Sequence, residues 1–172
     1  MQEGRRTRRA RGRKALAGCL LAAFCSLHPG GVRAAESAAE EATRLVNEGR
    51  FEEALARFTE AIRGEPKNAS LHLGLGLALQ SLGRYPDAVQ SLEKASKLAP
   101  ASAEPFYSLA LIFEAAAADP ALLDGPNAPE STRRQYLQRA RKAWEKVARL
   151  SKDGKRVEVA KEHLARLADA LR

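Results

Sequence analysis

The stretch GRFEEAL at residues 49–55 decides the fold, because it returns as GRYPDAV at residues 83–89. The two copies are 34 residues apart. The same offset relates apolar, small and proline positions on both sides of the motif: Leu45 to Leu79 and Phe113, Phe58 to Leu92, Ala61 to Ala95, and Pro66 to Pro100. Self-similarity at such a period indicates a repeat architecture. Each unit is predicted to contain two amphipathic helices, with a glycine turn between them and a proline after the second.

This pattern resembles the tetratricopeptide repeat (TPR), whose 34-residue period and aromatic, small and proline positions it follows. The resemblance implies an all-α fold, a right-handed superhelical stack of antiparallel helix pairs with a C-terminal capping helix. Because the family is a general interaction scaffold, the resemblance also implies protein binding rather than one particular activity.

The repeats are expected at about residues 35–68, 69–102 and 103–152, followed by a capping helix at 155–172. The third repeat lacks the glycine turn after its first helix, and the spacing is restored only by an insertion near 115–132. Seven helices are therefore predicted, and the long insertion is itself a candidate contact surface.

Two features of the repeats are predicted from their register. In the helix expected at 130–151, Trp144 corresponds to Phe58 and Leu92, which is a core position. The pair of glycines at 74 and 76 raises the alternative of a phosphate-binding loop, but no strand is predicted before them. Gly76 shares a small-residue contact position with its repeat equivalents, whereas Gly74 has no explanation in the repeat pattern.

Residues 1–34 are predicted to be a secretory signal peptide. They have a basic start, an apolar segment at 15–27 and a small-residue exit that favours cleavage after Ala34, so we expect export to a bacterial periplasm. The alternative is an uncleaved membrane anchor, although thirteen apolar residues fall short of a bilayer span. Both cysteines, Cys19 and Cys25, lie in this leader, so no thiol site is expected in the rest.

The net charge of +8 belongs mostly to the same leader, which holds eight Lys or Arg and one acidic residue. Nucleic acid is therefore not an expected partner. Residues 35–129 hold eight basic and fourteen acidic side chains, whereas residues 130–156 hold ten basic and three acidic ones. This opposition leaves two alternatives open, self-association between acidic and basic ends or contact with an anionic lipid or polymer.

Candidate binding residues follow from the family geometry, in which the first helix of each repeat lines a concave groove. That surface is predicted to carry Thr43, Asn47, Leu73, Leu77, Gln80, Tyr107, Leu111 and Glu114. Its leucines and tyrosine suit an apolar helix or an extended peptide of a protein partner. The alternative is that the long loop or the capping helix covers some of these leucines.

Two other kinds of contact surface have weaker or competing signals. Family members that clamp a C-terminal carboxylate use Lys, Arg and Asn, but this chain has Ala39, Thr43, Gly74, Glu104 and Ser108 there, so carboxylate clamping is not expected. A basic patch is predicted on the helix at 133–156, where a single stripe carries Arg139, Lys142, Lys146 and Arg149. A solvated helix face is the competing interpretation of this stripe. Membrane contact is expected only through this helix or an uncleaved leader.

An enzyme is not predicted, and neither a metal nor another cofactor is expected. Outside the leader the chain has two histidines, His72 and His163, on separate predicted helices, and a metal site requires three or four convergent ligands. His72 is interpreted as half-buried packing, because Phe106 occupies the same position one repeat later.

Overall fold

The computed structural model describes residues 29–129 and 131–172, with side chains from residue 37 onward. Residues 1–28 lie outside this range and include the apolar segment and both cysteines of the predicted signal peptide. Within the described range the chain forms eight helices and no strand: α1 Pro29–Asn47, α2 Phe51–Gly64, α3 Ala69–Ser81, α4 Tyr85–Leu98, α5 Glu104–Ala118, α6 Ala121–Asp124, α7 Ser131–Leu150 and α8 Gly154–Ala170.

The helices form consecutive packed pairs. Helices α1 and α2 pack together, as do α3 with α4 and α5 with α7, while α8 lies against α7 at the end of the stack. Neighbouring pairs meet through α2 with α3 and α4 with α5. The predicted all-α stack with a final capping helix is confirmed.

The expectation of seven helices was wrong, because part of the insertion in the third repeat is itself helical. Helix α6 lies between α5 and α7 in the chain and packs against α4 and α5. The hydroxyl of Tyr136 on α7 donates a hydrogen bond to Asp124 Oδ2 at 2.6 Å. Burial of the phenol, followed by this bond to a carboxylate, raises the pKa of Tyr136 to about 12. This hydrogen bond therefore connects the insertion to α7.

The glycine turns have the geometry that the repeated motif predicts. Gly49 and Gly83 have φ of +74° and +71°, in the left-handed region that favours glycine. At each turn the next residue returns a backbone hydrogen bond of 2.9 Å to the preceding helix, from Arg50 N–H to the Leu45 carbonyl and from Arg84 N–H to the Leu79 carbonyl. The two turns are thus structurally equivalent helix ends.

The pair of glycines in α3 is explained by packing. A Cβ on Gly74 would lie 2.4 Å from Cζ of Phe58, and one on Gly76 would lie 2.7 Å from Cγ of Leu92. Gly74, which has no explanation in the repeat pattern, makes room for the aromatic ring of α2. Both glycines belong to the middle of a helix, so the phosphate-loop alternative has no structural basis there.

The core is divided between a small cluster around Phe58 and a larger one that runs from α3 to α8. Trp144 is fully buried in the larger cluster, which confirms its predicted core position. His72 is more buried than predicted, at 4% exposure, and its Nε2 donates to the Pro66 carbonyl at 3.0 Å.

The first helix and the predicted leader overlap, since Ala34 and the proposed cleavage point lie inside α1. Between residues 29 and 172, apart from residue 130, no helix has the length and apolar character required to cross a membrane.

Candidate functional site

A groove of about 590 Å³ opens between α3 and α5 and is bordered by residues from the starts of α4 and α8. It brings together five of the eight side chains that the sequence predicts for a binding surface. The complete lining is Leu73, Leu77, Gln80, Ser81, Tyr85, Glu104, Tyr107, Ser108, Leu111 and Arg156. We refer to this cavity as the groove.

Helical spacing explains why these residues share one face. Leu73, Leu77 and Gln80 are four and three positions apart on α3, and Tyr107 and Leu111 are four apart on α5. Among the described residues, Leu77 is the most exposed large hydrophobic side chain, at 39% exposure. An exposed leucine in a groove that combines apolar and polar side chains is typical of a contact surface.

The tyrosine wall of the groove is supported from behind by the core. The ring of Tyr107 meets the ring of Trp144 edge-on, with centroids 5.2 Å apart and planes at 87°. Because Trp144 is fully buried, it gives Tyr107 a fixed packing partner. The tryptophan therefore shapes the groove without lining it.

One charged pair lies at the end of the groove, and its basic member is missing from the residues that the sequence predicts. Arg156 Nη1 is 3.5 Å from Glu104 Oε1, and the guanidinium carbon lies 5.9 Å from the centroid of the Tyr107 ring. Arg156 stands near the start of α8, a helix that the sequence pattern identifies only as a cap. Exposed ion pairs of this kind contribute little stability, so either partner can be redirected toward a ligand.

Gln80 is the polar member of the groove whose surroundings are incomplete. Its Oε1 is buried, yet no donor in the described part of the chain bonds to it. Nothing in the sequence pattern distinguishes Gln80 in this respect, because satisfaction of an acceptor depends on side chains from other helices.

Glu114 is predicted on the same surface, but the structure places it elsewhere. Its Oε1 accepts a hydrogen bond from Trp144 Nε1 at 2.9 Å, and both carboxylate oxygens lie 2.8 Å from His163 Nδ1. His163 also stacks on Trp144, with ring centroids 4.3 Å apart. Glu114 borders a separate cavity of about 220 Å³ between α5, α7 and α8, so it joins helices rather than lining the groove.

The two predicted residues of α1 do not line the groove either. Thr43 and Asn47 are exposed on α1, and Thr43 Oγ1 donates to the Ala39 carbonyl at 2.9 Å within the helix. Their predicted role in binding has no geometric support from the groove.

The predicted basic patch on α7 is less free than its sequence suggests. Arg139 Nη2 is 2.8 Å from Glu93 Oε1 of α4, and the guanidinium lies 4.0 Å above the Phe113 ring. Lys146 Nζ lies 5.9 Å from the centroid of the Phe106 ring on α5. Lys142 and Arg149 are exposed on the surface of α7.

Metal binding has no candidate in the part of the chain that the structure describes, since no three His, Cys, Asp or Glu side chains there form a suitable group.

Comparisons with known proteins show which repeat family the chain is similar to. Residues 39–103 match the family model described as tetratricopeptide repeat. The protein O-mannosyl-transferase Tmtc3 of Drosophila melanogaster is 39% identical over 56 residues, which is 33% of this chain and 6% of that protein. The chain thus spans a small fraction of the length of that relative.

Solved structures show the same fold at low sequence identity. The TPR domain of Arabidopsis OM64 has a TM-score of 0.64 and 18% identity, covering 80% of this chain and 98% of that one. The first TPR domain of Spaghetti, bound to an HSP90 peptide, has a TM-score of 0.62 and 18% identity, covering 81% and 94%.

A third structure is described as the complex of the TPR2B domain of yeast Sti1 with pHsp70. It has a TM-score of 0.58 and 18% identity, covering 80% of this chain and 98% of that one. Residues 39–103 are therefore similar to tetratricopeptide repeats, and the described chain has the same fold as TPR solenoids.

Proposed function

We propose that this protein is a non-catalytic scaffold that holds an extended or helical segment of a protein partner in the groove between α3 and α5. The observation that carries the proposal is the groove itself, in which exposed Leu77 lies with two other leucines and two tyrosines beside five polar side chains. Two structures of the same fold are described as complexes, one with an HSP90 peptide and the other with pHsp70. Those descriptions support peptide binding as a use of this fold.

The groove favours a different mode of recognition from a carboxylate clamp. Of the clamp positions considered in the sequence, Gly74 accommodates the Phe58 ring, Ser108 is buried and Glu104 pairs with Arg156. The leucines and tyrosines of the lining suit apolar side chains of the partner, and the two charged residues of the lining pair with each other.

The test is a crosslinking pull-down from an envelope extract with the full chain as bait, beside the variants Leu77→Ser and Leu111→Ser. Leu55→Ser is the matched control, because Leu55 is a partly buried leucine that lines a different cavity, on α2. We expect the groove variants to lose a partner that the wild-type and control baits retain, with unchanged circular dichroism. Capture of the same partners by all four baits would contradict the proposal.

We further propose that the protein acts outside the cytoplasm, in a bacterial periplasm. The support is the sequence of residues 1–34, with its basic start, apolar segment and small-residue exit. Mass spectrometry of the protein from the envelope fraction tests this proposal. We expect a mature chain that begins at Ala35, and recovery of the unprocessed chain from the cytoplasmic fraction would contradict it.

The two electrostatic alternatives have less support. Opposite charges from the two halves of the chain already meet within one molecule, in the pairs Arg139 with Glu93 and Arg156 with Glu104. These pairs reduce the charge that remains for a second copy or an anionic surface. A size distribution that shifts with protein concentration and with salt would instead favour self-association.

A further inference from the structure

A second cavity lies outside the groove and shares no residue with it. It has a volume of about 640 Å³ and is lined by residues of α2, α3 and α4. We refer to this cavity as the outer cleft, and its lining includes Ile62, His72, Leu75, Gln90, Lys94 and Lys97. His72 and Leu75 occupy a different face of α3 from Leu73 and Leu77, which line the groove. The outer cleft is therefore a separate surface.

The outer cleft carries positive charge that the chain itself does not compensate. Lys94 and Lys97 are exposed and three positions apart on α4, and neither forms a salt bridge with the side chains that the structure describes. The carboxylate in the lining, Glu93, is bonded to Arg139 of α7 at 2.8 Å. Because like charges at this spacing on a helix repel each other, an anionic group placed between the two lysines is stabilising.

The next interface in the stack shows what the outer cleft lacks. The repeat offset is 34 residues, or 52 once the 18 residues of the insertion at 115–132 are added, so Phe106 corresponds to His72 and Lys146 to Lys94. The Lys146 ammonium lies 5.9 Å from the centroid of the Phe106 ring. His72 is buried instead, and its Nε2 donates to the Pro66 carbonyl. Lys94 therefore lacks the aromatic partner that Lys146 has.

We propose that the outer cleft binds an acidic segment of a partner protein, with carboxylates of the segment on Lys94 and Lys97 and one of its apolar side chains between Ile62 and Leu75. Ile62 and Leu75 are half-buried, so each still presents apolar surface to the cleft. The free lysines provide charge complementarity, and the apolar floor provides a pocket for an anchoring side chain. The site is independent of the proposed function, because it uses other residues and another kind of contact.

The shape of the outer cleft favours a protein segment over an anionic membrane or a nucleic acid. Those partners gain affinity from many cations spread over a broad face, whereas the free cations of this lining are two lysines on one helix. The apolar floor of a cleft is accessible to a single side chain, but not to a surface of lipid headgroups or phosphates.

The test selects peptides from a phage-displayed library of random sequences on the full chain and discards those that also bind the double variant Lys94→Glu with Lys97→Glu. The second step removes peptides that are held by the basic residues 1–34. We expect the retained peptides to be enriched in Asp and Glu around one large apolar residue. Replacing that residue by Ala is expected to weaken binding by about 10-fold.

Neutral substitutions measure the role of the lysines. Lys94→Gln with Lys97→Gln is expected to weaken a retained peptide by about 10-fold. The matched control is Lys146→Gln with Arg149→Gln, at the equivalent positions of α7. We expect this control to weaken binding by less than about 3-fold at physiological salt, because charges beyond the contact are screened.

A substitution without a change of charge locates the peptide in the outer cleft. Gln90→Trp places a ring at an exposed position of the lining and is expected to weaken binding by about 10-fold through steric exclusion. Ala56→Trp is the matched control, since Ala56 is the exposed equivalent of Gln90 on α2 and lines a different cavity. Circular dichroism and urea denaturation of the free variants separate affinity from folding.

Several outcomes would overturn the inference: no retained peptide, retained peptides no more acidic than the library, equal losses from the α4 and α7 pairs, or an affinity unchanged by Gln90→Trp. Sedimentation with phosphatidylglycerol vesicles that depends on Lys94 and Lys97 would assign these lysines to lipid and would also overturn it. Retained peptides that are released by Leu77→Ser lie in the groove, which overturns the inference and leaves the proposed function standing. Failure of the Leu77-dependent pull-down with binding in the outer cleft intact overturns the proposed function alone.

Discussion

The second and third repeats place similar polar side chains at equivalent positions, Gln80 and Glu114, and the structure uses them in opposite ways. Glu114 is bonded by a tryptophan and a histidine from the following helices, while Gln80, in the groove, has no donor to its Oε1 in the described chain. The repeat pattern gives both residues the same position. What differs is which side chains the next helices supply.

The comparison shows how a capping helix covers, in the third repeat, a position that borders the groove in the second repeat. Helix α8 brings His163 over Trp144, and the same helix places Arg156 at the end of the groove. One repeat earlier, Leu92 and Leu111 occupy the positions of Trp144 and His163, and no hydrogen-bond donor from them reaches Gln80. The groove therefore lies where the stack is regular, and the polar network lies where the stack ends.

The largest expected effect is loss of the tryptophan that supports the third repeat. Trp144→Ala should lower the free energy of unfolding by about 3–5 kcal/mol, because it leaves a large cavity and removes the donor to Glu114. Leu92→Ala, the equivalent change in the second repeat, removes packing alone and should cost about 2–4 kcal/mol. Urea denaturation followed by circular dichroism measures both. A larger loss of unfolding free energy for Leu92→Ala than for Trp144→Ala would contradict the prediction.

The next effect isolates the two polar positions themselves. Glu114→Leu should cost about 1–3 kcal/mol, because it leaves Trp144 Nε1–H without its acceptor. Gln80→Leu should leave the free energy of unfolding unchanged or slightly raised, since it removes an acceptor that has no donor in the described chain. The same urea experiment, without ligand, compares the two variants. Equal destabilisation by both would show that Gln80 is structurally satisfied.

A third prediction concerns the interface between the first and second repeats, where Gly74 makes room for the Phe58 ring. Gly74→Ala should cost about 1–3 kcal/mol, because the new Cβ meets the Phe58 ring. Gly154→Ala is the matched control, since no atom lies within 4 Å of a Cβ there, and should change stability by less than about 0.5 kcal/mol.

The interface between the second and third repeats suggests a rescue for this position. It has Leu92 where the preceding interface has Phe58, and Ser108 where the preceding interface has Gly74. Transplanting that pair as Phe58→Leu with Gly74→Ser should cost less than the sum of the single changes. Strict additivity in thermal denaturation would show that the ring and the glycine are not coupled.

The smallest expected effect tests the attachment of the insertion. Tyr136→Phe removes the hydrogen bond to Asp124 and should cost about 1 kcal/mol near neutral pH. The folded-state pKa of about 12 lies above the ordinary value of about 10, so the stabilisation is complete below the unfolded pKa and is lost as pH rises through 12.

Urea denaturation near neutral pH and at about pH 11 checks this sign, because the advantage of the wild type over Tyr136→Phe should shrink at the higher pH. A difference that is independent of pH would mean that Tyr136 ionises equally in both states.

Much of the architecture was predictable because each repeat reproduces the same local chemistry. The glycine turns and the core position of Trp144 follow from a fixed sequence offset and helical spacing. Five side chains of the groove follow from the geometry of the family that the sequence resembles. The structure also explains Gly74, whose absent side chain accommodates a ring from a different helix. That contact has no local signature.

The sequence by itself determined the period, and with it the helices, their turns and the face that each presents. Only the tertiary structure decided which of those faces stay open. It placed Glu114 beneath the capping helix, paired Arg139 with Glu93, folded α6 into the insertion and left Gln80 in the groove. The physical reason is that periodicity is a property of one helix, whereas hydrogen-bond satisfaction and burial are set by side chains from others.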